Sequence, residues 1–123
     1  IFKILAENSL VLARLNLNNG EYEILKRDYR LHGCGLEMEH DFESYNRRIL
    51  NEKLIHPDDE ELYRARITLS SLHDFFFDGK KQLSYQFRRQ LNNEYILTVM
   101  EFFAGNQCDV QNPWIVVLIR ETS

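Results

Sequence analysis

The sequence predicts an α+β domain built on a five-stranded antiparallel sheet, and three observations carry that reading. Apolar and polar residues alternate with period two over 83–87, and strand-like runs flank Asn18-Asn19-Gly20. Extended helical spacing stands in the middle of the chain, from Phe42 to Phe76. Turn-forming residues stand where strands must reverse, at Asn18-Asn19-Gly20, at Asn92-Asn93 and over 105–113.

Taken in order, residues 1–9, with Phe2, Ile4 and Leu5, read as a helical turn leading into a strand. The runs from Leu10 and from Glu21 form a first hairpin around Gly20, because Asn and Gly tolerate the positive φ of a tight reversal. Asp41 is placed to cap a helix over 42–50 that turns Phe42, Tyr45 and Ile49 to one side. Pro57 suits the start of a second helix, and Asp58, Asp59, Glu60 and Glu61 set carboxylates at the positive end of its macrodipole. The stripe Leu62, Ala65, Leu69, Leu72 and Phe76 predicts that this helix runs unbroken to Asp78-Gly79. Leu83, Tyr85 and Phe87 then alternate with polar residues on a third strand, Asn92-Asn93 turns the chain, and strands follow over 94–104 and 114–121. In those last two strands both alternating sets are apolar, so both faces of the sheet need cover. The helices supply it on one face, and the lead-in segment or a second copy of the chain on the other, which is a physical case for a homodimer.

Composition narrows the function. Lys and Arg number 15 against 19 Asp and Glu, so a net charge of −4 offers no basic field to nucleic acid or anionic lipid. The longest apolar run, 114–119, has six residues, whereas a spanning helix needs about 20, so no direct membrane contact is expected of this stretch. With 5 Gly and 2 Pro in 123 residues there is no room for a flexible linker, and one domain is expected over 1–123. Cys34 and Cys108 have no metal or disulfide spacing, which makes a reducing cytoplasm the simpler location, with any membrane anchor elsewhere in the parent protein. A start at Ile1 and an abrupt stop at 120–123 suggest a piece of a longer protein.

Three motifs remain: His56-Pro57-Asp58-Asp59 at a helix start, Tyr85-Gln86-Phe87-Arg88-Arg89 on a strand and Asn92-Asn93-Glu94-Tyr95 at the next turn. With them, in an order of two strands, helices and three strands, the chain resembles the PAS domain family, in the subgroup whose helix opens with His-Pro-x-Asp. The strand motif is similar to that subgroup's Tyr-Arg-x-Arg and the turn to its Asp-Gly-x-Tyr. Gln86, Asn93 and Leu97 depart from the pattern, standing where Arg, Gly and frequently Trp are expected. Glu121-Thr122-Ser123 falls where many members carry Asp-x-Thr before an output module. The resemblance implies a sheet of strand order 2-1-5-4-3 with helices on one face, and a sensory or regulatory domain that is not itself an enzyme. It further implies a connector starting at 120–123 and a linked C-terminal output module, a diguanylate cyclase ahead of a histidine kinase. A ligand-free dimerisation scaffold is the alternative.

Candidate chemistry is sparse. His56 with Asp58 and Asp59 has the residue types of an acid/base or metal cluster, but the same residues are what a helix N-terminus requires, and the structural role is preferred. Cys34 lacks the Asn-Cys-Arg-Phe-Leu-Gln stretch of flavin-binding PAS relatives, so no light-driven adduct is expected. His73, beside 75–77, is the best-placed axial ligand for a haem but reads as a packed or half-exposed side chain. Leu15, Tyr85, Phe87 and Met100 share one sheet face and are the candidates for lining a small-molecule pocket beneath the helices, although such residues more commonly fill a core. The pairs Arg47-Arg48 and Arg88-Arg89 read as solvated surface. No cofactor is named by the sequence.

Overall fold

The structure, a computed structural model, describes residues 9–28, 30–31, 39–106 and 108–122. Strands β1 (Val11–Asn16) and β2 (Tyr22–Arg27) are followed by helix α1 (Phe42–Asn51), a 3-10 turn (Pro57–Asp59), helices α2 (Glu60–Arg66) and α3 (Leu69–Phe77), and strands β3 (Gln82–Leu91), β4 (Glu94–Ala104) and β5 (Trp114–Glu121). All strand pairs are antiparallel, in the order β2-β1-β5-β4-β3. This is the α+β class expected from the sequence and the strand order implied by the resemblance. The predicted lead-in helix over 1–9 lies outside the described residues apart from Ser9, which is buried.

Local chemistry explains the reversals. Asn16 Oδ1 accepts from the N–H groups of Asn18 and Asn19, and Gly20 closes the loop at φ +80°. A side chain at Gly20 would press on Asp41 Oδ1 and Leu69, each 3.2 Å from its Cβ, so glycine is required there by conformation and by space. Asn92 and Asn93, at φ 51° and 67°, make the two-residue turn between β3 and β4.

α1 begins as expected: the Ser44 N–H donates to Asp41 Oδ2 at 3.0 Å, and Phe42, Tyr45 and Ile49 are buried. The predicted single helix after Pro57 is, in contrast, two helices. Ile67 leaves helical geometry at ψ 70°, and Thr68 caps a new helix by accepting from the Ser71 N–H at 3.1 Å. Glu43 of α1 reinforces the start of α3 by accepting from the Leu69 N–H at 2.8 Å. The apolar stripe is broken accordingly. Leu72 and Phe76 of α3 enter the core, whereas Leu62 and Ala65 of α2 face solvent and Tyr63 is the residue of α2 that is buried.

One face of the sheet carries Ala13, Leu15, Tyr22, Phe87, Met100, Phe102, Ile115 and Val117 into a single core with the buried residues of the three helices. Val99 and Leu118 are buried outside that cluster, on strands whose alternation sends them to the opposite face. Both faces of β4 and β5 are therefore apolar, as the sequence indicates.

Candidate functional site

β3 is an edge strand, and the segment 54–56 lies along it: the His56 N–H donates to the Arg88 carbonyl at 2.9 Å and the Gln90 N–H to the Leu54 carbonyl at 2.8 Å. The His-Pro-Asp-Asp motif locks this arrangement. His56 Nδ1 accepts from the Asp58 N–H at 3.0 Å while its ring meets Tyr95 edge-on at 5.0 Å. Asp59 accepts three hydrogen bonds from Arg88, one from the backbone N–H at 2.8 Å and two from the guanidinium at 3.0 Å. The Arg88 hydrogen bonds hold the Asp59 carboxyl below the usual carboxylate range. His56 and Asp59 are thus engaged in joining a helix start to the sheet, while the Asp58 carboxylate is exposed.

The neighbouring residue, Arg89, is the unexpected one. Its side chain is 2% exposed on the helix-facing side of β3, which corrects the reading of Arg88-Arg89 as solvated surface. Period two explains it: Leu83, Tyr85 and Phe87 point inward, and the same alternation carries Arg89 and Leu91 inward after them. The signal was present in the pattern and obscured by the residue type. Arg88 is also no free surface cation, since Asp59 holds it.

Three tyrosines surround Arg89. Tyr22 comes from the start of β2, Tyr45 from α1 and Tyr63 from α2. Arg89 Nη2 donates to the Tyr45 hydroxyl at 3.4 Å, a long contact, and the Tyr22 and Tyr45 rings pack at 4.8 Å. The Tyr63 hydroxyl donates to Asn46 Oδ1 at 2.8 Å, and Asn46 in turn donates to the Ile67 carbonyl at 3.3 Å, tying α1 to the junction of α2 and α3. Burial pushes the Tyr22 and Tyr63 hydroxyls well above their ordinary pKa, so both are protonated at neutral pH. Burial works against the Arg89 charge, but a guanidinium keeps its proton in proteins, so Arg89 is a buried cation facing tyrosine hydroxyls. Two buried donors are left over: among the described residues, neither Arg89 Nε nor the Tyr22 hydroxyl has a partner. On the surface, a depression of about 160 Å³ opens between α1 and α2, and Asn46 and Tyr63 form part of its wall.

The predicted pocket residues are placed close to this cluster. Leu15, Phe87 and Met100 are fully buried and Tyr85 partly so, all on the helix-facing side. The Phe87 ring packs edge-on against Tyr63 at 5.0 Å and lies 5.9 Å from Tyr85. His73 lies half exposed on α3 with its ring against Phe77 at 4.3 Å. Cys34 falls outside the described residues. No helix among the described residues is long and apolar enough to cross a membrane. In comparison with known proteins, no family model matches the chain, and no curated protein matches it either.

Proposed function

We propose that the chain is a sensory or regulatory domain of the PAS type, which passes a change at its helix–sheet interface to an output module joined after β5. The observation that carries this reading is the strand order, which makes β5 the central strand. β5 is hydrogen-bonded to β1 on one side and β4 on the other, so a shift in either half of the sheet reaches its end. That end is tied to both halves: Arg120 pairs with Glu101 of β4 at 2.8 Å, and Glu121 lies 3.7 Å from Arg30, which follows β2. A ligand that favours one arrangement of helices over sheet would shift the population of positions adopted by the departing chain. The domain is then a receiver and not a catalyst, with a diguanylate cyclase the favoured output and a histidine kinase the other candidate. In the full-length protein, a proline introduced directly after Ser123 should uncouple output from input while basal output persists; regulation that survives the proline would refute the reading.

One feature favours a second reading, the ligand-free dimerisation scaffold. Leu97, 42% exposed, stands on the sheet face opposite the core, the face that also carries the buried Val99 and Leu118. Leu97→Glu would dissociate a dimer formed through that face, as sedimentation equilibrium would report, and would leave a helix-side receiver unaffected.

A further inference from the structure

Arg89 is a cation inside the core, and among the described residues no carboxylate pairs with it. A guanidinium stays protonated in proteins, and the ionisable groups acting on this one are Tyr22, Tyr45 and Tyr63. A buried charge of one sign is among the most unfavourable arrangements in a protein unless something compensates it. Two unused donors, Arg89 Nε and the Tyr22 hydroxyl, point to the same deficit, because buried polar groups are otherwise almost always paired.

We propose that Arg89 and the Tyr22 hydroxyl receive the carboxylate of a small monocarboxylic acid. Charge selects the class: one guanidinium neutralises one negative charge, whereas a phosphate monoester, with about −1.5 to −2, would leave an excess buried among apolar side chains. Geometry selects the carboxylate: Nε is free and Nη2 makes only the 3.4 Å contact to Tyr45, so one edge of the guanidinium offers two parallel donors. The way in is the depression between α1 and α2, since Tyr63 belongs both to its wall and to the tyrosines around Arg89. Opening it requires the Tyr63–Asn46 hydrogen bond to yield, and that bond joins the helices whose displacement would be the signal. This deepens the regulatory reading and rests on it for the consequence of binding, while the binding itself is tested apart.

Sodium acetate and sodium propionate are titrated into the ¹⁵N-labelled chain, with ionic strength held constant by sodium sulfate, and the Arg89 Nε–H resonance and the thermal midpoint are followed. The expected result is a saturable shift of that resonance with a rise in midpoint, both absent in Arg89→Met. In Arg89→Lys the affinity falls by about tenfold, the weight of one charge-assisted hydrogen bond. No saturable response, an equal response in Arg89→Met, or the same shift with sulfate alone would overturn the proposal. Should Arg89→Met fail to fold, the wild-type titration against sulfate decides alone. Saturable binding that leaves the output of the full-length protein unchanged supports the site and removes only the regulatory reading; regulated output without binding removes the site.

Discussion

Asp59 is the clearest place to test whether the His-Pro-Asp-Asp motif is structural. Its carboxylate, mostly shielded from solvent, accepts the Arg88 backbone N–H at 2.8 Å and both arms of the Arg88 guanidinium. Asp59→Ala leaves the backbone N–H at the sheet edge without its acceptor, and a hydrogen bond to a charged group is worth about 1.5–3 kcal/mol. The guanidinium arms are solvated and screened, so they add little. Asp59→Asn keeps an oxygen for the N–H and loses only the charge, which should cost about 1 kcal/mol. In a domain of 123 residues, each kcal/mol moves the midpoint by about 4 °C. Urea unfolding followed by far-ultraviolet circular dichroism would rank the variants: Asp59→Ala lowest, then Asp59→Asn, with Arg88→Gln least affected because its backbone N–H survives. A loss below about 0.5 kcal/mol for Asp59→Ala, or Arg88→Gln falling below it, would refute the assignment.

The same carboxyl gives a pH dependence. Asp59 has a folded-state pKa below its unfolded value of about 3.9, so its contribution is in full above that pH and is lost as pH falls through the folded value; the stability gap between wild type and Asp59→Asn should therefore close as pH falls below about 4. Gly20→Ala should cost about 1–2 kcal/mol in urea unfolding, since φ +80° disfavours any Cβ and the added atom meets Asp41 and Leu69 at 3.2 Å. Thr68→Ala should cost about 1 kcal/mol by the same assay and lower amide protection in α3, whose cap it removes; unchanged protection would show that Glu43 suffices. Phe87→Ala, which empties space beside Tyr63, should cost about 3–5 kcal/mol.

Much of this architecture is legible in the chain itself. β4 and β5 are bounded by turn residues, and Asn92-Asn93 fixes β3 in register with β4, so strand boundaries follow from local chemistry. Asp41 marks the start of α1 for the same reason. The break between α2 and α3 is different: the spacing of Leu62, Ala65, Leu69 and Leu72 fits one helix as well as two, and only the tertiary contact from Glu43 and the Thr68 cap decide it. Arg89 was hidden by a competing rule. Composition sends arginine outward, β-strand alternation sends position 89 inward, and in a strand already committed by Tyr85 and Phe87 the alternation wins. Tyr22, Tyr45 and Tyr63 reach it from three different elements, and no local sequence window contains that convergence.

Arg89 is proposed to be a buried charge held for a ligand and not for stability. An arginine kept for packing or pairing would, on removal, cost about 3–5 kcal/mol. A functional one burdens the empty fold, and its replacement by an apolar side chain of similar length relieves that burden. The most direct test is urea unfolding of Arg89→Met beside wild type, in a buffer free of carboxylates. Arg89→Met is expected to be at least as stable, with a gain of about 1–3 kcal/mol; a loss of about 3 kcal/mol or more would return Arg89 to the scaffold.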